Sequence, residues 1–163
     1  MSQLFPDGTL PPPSADGVPD ELAQVLGDGM RVVGDCLVVG KSDAAPCLDS
    51  VRAAVMDKTG YACFVNHFHL KEHGNSAAVL GHAVAFCKRV SAEAVSIAPN
   101  RSVRFIISKN GKDWTVHFHT LRPDESYVSA DLEGYAEEAV LVLDSTKTLI
   151  RGLVTVEISP FHQ

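Results

Sequence analysis

The tripeptide His-Phe-His occurs twice, at residues 67–69 and 117–119, in a chain with seven histidines. In an extended strand alternate residues share a face. His67 and His69 therefore point one way with Phe68 opposite, and His117 and His119 do the same around Phe118. Same-face neighbours lie about 6.6 Å apart, near enough for two imidazoles to share a zinc or non-haem iron ion. If the two strands adjoin, up to four imidazoles converge. This is the metal-binding or metalloenzyme reading, with zinc or iron on His67, His69, His117 and His119. The competing reading puts both phenylalanines in the core and the imidazoles on the wet side of a sheet, with no cofactor.

Strand register bears on the choice. Asn110-Gly111, between two alternating runs, is a strong hairpin signal, because a type I′ turn needs positive φ at both central positions. Taken as a two-residue loop, it sets Lys109 opposite Lys112, Arg104 opposite His117 and Ser102 opposite His119. A guanidinium beside an imidazole disfavours a second positive charge. No carboxylate is evident on that face to offset it, so this register favours the reading without a metal. Cys63 would share the strand face of His67 but lie about 13 Å away, too far for a common ion.

A second feature is electrostatic. Between Arg122 and Lys147 lie Asp124, Glu125, Asp131, Glu133, Glu137, Glu138 and Asp144, with no intervening lysine or arginine. Clustered acids steer a basic partner and raise its association rate. Tyr135, set among them, is the type of residue that anchors an interface. The expected partner-binding set is Asp124, Glu125, Asp131, Glu133, Tyr135, Glu137 and Glu138. The plainer alternative is a solvated loop. The spacing lacks the EF-hand pattern for calcium.

Other chemistry is not signalled. The chain has no GxSxG elbow, no GxxxxGK[ST] and no GxGxxG. The adjacent Glu137 and Glu138 diverge and do not form an acid–base pair. A net charge of −6 argues against nucleic-acid and anionic-membrane partners. The four cysteines, Cys36, Cys47, Cys63 and Cys87, form no CxxC pair and lie in apolar settings. They read as small buried hydrophobes in a reducing compartment. With no positive and apolar leader and no run of about 20 apolar residues, the expected location is the cytoplasm.

The elements that must position these residues follow from periodicity. Residues 1–18, with Pro6, Pro11, Pro12, Pro13, Gly8 and Gly17, read as a flexible tail, and 19–163 as one domain of ordinary size. Pro19 and the acids after it open a short helix ending near Gly27. Residues 30–41 are Val-rich and read as a strand broken near Gly34. Leu48, Val51 and Val55 suggest a helix over about 44–58, stopped by Gly60, and residues 61–70 then read as a strand. Leu80, Ala83, Val84, Cys87 and Val90 form the stripe of a longer helix, with Gly81, His82, Lys88 and Arg89 outside it. Strands follow around Val103, Phe105 and Ile107, around Trp114, Val116 and Phe118, over 137–144, and around Val154, Val156 and Ile158.

Helices early and strands late predict an α+β fold, with two or three helices on one face of a mostly antiparallel sheet of five to six strands. The function expected is a small acidic protein-binding module. It would act as an inhibitor or immunity-type protein neutralising a basic partner such as a toxin. Toxin-neutralising immunity proteins share this general profile, being small, often acidic and without catalytic motifs. The second function carried forward is the His-dependent metal site.

Overall fold

Alternation sets the core. Val103, Phe105 and Ile107 are fully buried, and so are Trp114, Val116 and Phe118 on the neighbouring strand. A computed structural model describes residue 14, residues 17–40, 57–71, 75–128 and 139–145, and the backbone of 156–158. Its elements, in chain order, are α1 (Asp20–Gly27), β1 (Met30–Val33), β2 (Cys36–Val39), α2 (Lys58–Val65), β3 (His67–Leu70), α3 (Ser76–Ile97), β4 (Val103–Asn110), β5 (Asp113–Thr120), β6 (Ala139–Ser145) and β7 (Val156–Ile158). β1 and β2 form a hairpin, and the other strands form one sheet in the order β3-β5-β4-β6-β7. Every pairing is antiparallel. The fold is α+β with a mostly antiparallel sheet.

α3 covers the inner face of the sheet. Its Leu80, Ala83, Val84, Phe86, Cys87 and Val90 join Phe105, Val116, Phe118 and Leu141 in the main core, which Leu22 and Leu26 of α1 close. The expected stripe is buried throughout. Gly81 is buried as well, and its carbonyl accepts from the Ser14 N–H at 3.2 Å. β2 is buried on both faces, with Leu37 and Val39 in the main core and Cys36 and Val38 packed with Tyr61 and Ala62 of α2. α2 lies over the outer face of the sheet, where Cys63 packs with Ile106, Val140 and Val142.

Three expectations are corrected. Residues 61–65 are helical rather than extended, and the strand begins at His67. Asp57 caps α2 by accepting from the Gly60 N–H at 2.7 Å, so Gly60 lies in the first turn instead of stopping a helix. A second N–H of that turn, on Thr59, is taken by the Glu125 carboxylate at 2.9 Å, a partner 66 residues away.

The β4–β5 register also differs. Gly111 (φ +58°) and Lys112 form the loop, Asn110 faces Asp113 and Lys109 faces Trp114. The expected register opposed two lysines. In the observed one the Lys109 ammonium lies over the indole ring, 5.4 Å from its centroid. The offset is two residues, which leaves every side chain on its expected face.

Third, the break near Gly34 is a full hairpin turn, with Gly34 at φ +59°. Of the helix expected over about 44–58, residues 44–56 lie outside the described residues, as do the tail before residue 14 and Val154, while Asp57 is the N-cap of α2 and Lys58 its first residue. Among the described residues no helix is long and apolar enough to cross a membrane.

Candidate functional site

β3 and β5 are neighbours, and their register places His67 directly across from His117. Period-2 alternation then puts His67, His69 and His117 on the outer face, opposite α3. The His67 ring centroid lies 4.1 Å from that of His117 and 4.6 Å from that of His69. His67 and His69 are exposed, and His117 is half-buried. The His117 Nδ1–H donates to the Cys63 carbonyl at 3.2 Å. Tyr127 stands against the other side of this cluster, its ring 5.7 Å from His117. Partial burial and the adjacent His117 and His69 hold the His67 imidazole below its ordinary pKa.

His119 corrects both sequence readings, being neither in the cluster nor on the wet side. Only 1% of it is exposed. Its Nδ1–H donates to the Thr120 carbonyl at 2.9 Å, and its buried Nε2 has no hydrogen-bond partner. β4 sets Arg104, rather than the expected Ser102, opposite it.

Arg104 does have a carboxylate, contrary to expectation. Asp144 on β6 faces it and takes a two-pronged ion pair, with Nε to Oδ1 and Nη2 to Oδ2 both at 2.7 Å. The guanidinium that seemed to oppose a metal is therefore neutralised, and it lies beside His119 rather than His117.

The buried neutral His119 gives a pH dependence with a defined sign. Burial depresses its pKa foremost. Arg104 and Arg122 add to this, while the Thr120 carbonyl and Asp144 partly offset it. The unfolded chain takes the proton first, near the ordinary histidine pKa of about 6.5, so stability falls as pH drops below that value. The slope for this one proton is at most about 1.4 kcal/mol per pH unit. Urea midpoints at about pH 7 and about pH 5 test it. The wild type loses stability over that interval and H119Q loses less. Equal losses would show that His119 is not the group responsible.

The acidic segment divides. Asp124 is exposed. Glu125 turns inward and accepts from the Thr59 N–H and from Thr59 Oγ1 at 2.7 Å. Glu125, expected on a docking surface, here caps a distant helix start. Asp144 is likewise committed to Arg104. Asp131, Glu133, Tyr135, Glu137 and Glu138 lie outside the described residues.

Sequence reasoning missed Phe64 and Tyr127. They are 64% and 45% exposed, the two most exposed large hydrophobic residues among those described. Phe64 gives no signal when residues 61–65 are taken as a strand, whereas in the helix it stands exposed. Tyr127 lies in the acidic stretch and could have been singled out as Tyr135 was.

Arg122 joins this region to the rest of the fold. It donates to Thr59 Oγ1, to the Thr120 and Asp35 carbonyls and to Cys36 Sγ. Cys36, Cys63 and Cys87 are free and buried. Burial raises all three thiol pKa values, that of Cys63 to about 12, so none is poised as a nucleophile. Cys47 lies outside the described residues.

Residues 2–158 match the Uncharacterized protein PM0498 family. No curated protein and no solved structure matches the chain.

Proposed function

We propose that this chain, which belongs to the Uncharacterized protein PM0498 family, is a cytoplasmic protein-binding module of inhibitor or immunity type. Its partner is a basic protein. The observation that carries the reading is Tyr127, which is 45% exposed yet has its ring tilted against that of His117, 5.7 Å between centroids. The contact makes the acidic turn and the imidazole face one continuous surface. Phe64, next in the chain to the residue whose carbonyl holds His117, is a second exposed aromatic.

Exposed aromatics ringed by polar groups are the usual anchors of a protein interface. Asp124 lies in the turn just before Tyr127, and the chain carries a net charge of −6. Both favour a basic partner, and the acids steer its approach while the aromatics hold it. The neutral state of His67 suits such a surface, since a protonated ring would repel a basic partner.

The test is retention of the partner from the native cell extract on immobilised protein, followed by its identification and affinity measurement. The double variant F64S/Y127S lowers affinity at least tenfold, and raising the salt slows association. Both changes are on the surface and leave the fold intact, which circular dichroism verifies. A double variant that binds the partner as tightly as wild type would remove this surface from the interface.

A further inference from the structure

We propose that the pocket between α1, β3 and α3 receives an arginine side chain of the basic partner. The inference rests on the protein-binding reading and deepens it. The pocket measures about 240 Å³ and lies at the edge of the main sheet, where β3 is the outermost strand among the described residues. Sites that enclose a drug-sized ligand take roughly 300–1,000 Å³, so this one suits a single side chain. Its floor is apolar, formed by the buried Leu22 of α1, Leu70 of β3 and Val79 of α3. Its rim is polar. Asp20 and Glu21 come from the first turn of α1, Lys71 follows β3, and His69 and His82 stand on β3 and α3.

The charges at the rim set the occupant. Lys71 is paired with Glu21 at 2.6 Å, so the cation already there is neutralised. Asp20 is exposed and has no ion-pair partner among the described residues. An apolar floor beneath a surplus carboxylate calls for a long side chain with an apolar stem and a cationic head. Arginine fits better than lysine. Its planar head pairs with a carboxylate through two N–H groups and stacks on a flat ring, whereas an ammonium is a compact, strongly hydrated point charge. Among the described residues no three His, Cys, Asp or Glu side chains are placed to hold a metal ion, so the rim matches an organic cation. His69 joins the pocket to the interface. Its ring lies 4.6 Å from that of His67, which lies 4.1 Å from that of His117, against which Tyr127 stands. A partner seated on Tyr127 reaches the pocket along this row of four rings.

Nα-acetyl-arginine amide is titrated into isotopically labelled full-length protein and followed by NMR, beside the lysine compound and the citrulline compound, which keeps the shape of arginine without its charge. The arginine compound shifts the ring signals of His69 and His82 and the methyl signals of Leu70 and Val79 along one saturable curve. The other two bind at least about fivefold more weakly. D20R, an exposed change that leaves the fold intact, weakens the arginine compound at least about fivefold and the captured partner at least about tenfold. Shifts absent from those four residues, or equal binding of the citrulline compound, overturn the proposal. So does a partner whose affinity is unchanged in D20R. If F64S/Y127S still lowers that affinity, the protein-binding reading stands without the pocket. If D20R weakens the partner and F64S/Y127S does not, the pocket stands and the Tyr127 surface falls.

Discussion

Replacing Asn66 with alanine lowers stability by about 3 kcal/mol, since each buried polar group left unpaired costs about 1–3 kcal/mol. Asn66 is fully buried at the junction of α2 and β3. Its Oδ1 accepts from the Val39 N–H at 3.2 Å, and its Nδ2 donates to the Leu37 carbonyl at 2.8 Å and the Phe118 carbonyl at 3.3 Å. One amide thus ties the β1–β2 hairpin to the centre of the main sheet. In the alanine variant a buried N–H and a carbonyl lose their partner, and the long bond to Phe118 adds less. For a chain of this size the melting temperature falls by about 6–12 °C. N66D tests the same site differently, because it keeps the acceptor but removes the donors and buries a charge. It is destabilised at least as much. A loss below about 1 kcal/mol for N66A by urea unfolding would mean that water or backbone movement satisfies the groups that Asn66 serves.

The second large effect is at Arg122. Its side chain is 11% exposed and carries hydrogen bonds to the β1–β2 turn, the start of α2 and the end of β5. Its Nε stands 3.7 Å from Asp35 and 3.8 Å from Glu125. Asp35 also meets Lys58 and Arg101, and these cations hold its carboxyl below the usual range, with the Lys58 hydrogen bond leading. R122A is expected to cost about 2 kcal/mol. This is less than the 3–5 kcal/mol of a fully buried pair, because Asp35 remains nearly half exposed. R122K recovers little, since an ammonium cannot reproduce the fork that reaches Thr59, Thr120 and Asp35 at once. The same variants loosen the turn bearing Asp124 and the bend at Tyr127 that follows it. Hydrogen exchange at 122–128 therefore rises more than in the sheet core. If both variants leave exchange in that turn unchanged, Arg122 does not position the interface.

These two residues show why the sequence left the site incomplete. Asn66 reads as an ordinary polar residue between two elements, and Arg122 as the edge of an acidic run. The Asn66 partners lie 27 to 52 positions away, and Arg122 reaches Thr59, Cys36 and Asp35 across 63 to 87 positions. No local pattern announces such contacts. The acids read together as a docking surface are separated by the same cause. Glu125 caps α2, Asp144 pairs with Arg104, and Asp124 stays exposed.

The amino-acid order by itself determined which side of each strand faces the core. Period-2 alternation placed Phe105, Trp114, Val116 and Phe118 inward, and 3.6-residue periodicity did the same for the stripe of α3, because burial of apolar side chains depends on local periodicity. Alternation also put the four histidines of the two His-Phe-His segments on one face. It could not say which strands adjoin or how deep each residue lies. Only the tertiary structure decided that β3 lies beside β5, gathering His67, His69 and His117, and that His119 is buried with the Asp144-paired Arg104 opposite it on β4. The physical reason is that strand pairing is a non-local choice, fixed by the packing of the whole sheet, whereas facing is written into each strand's own period.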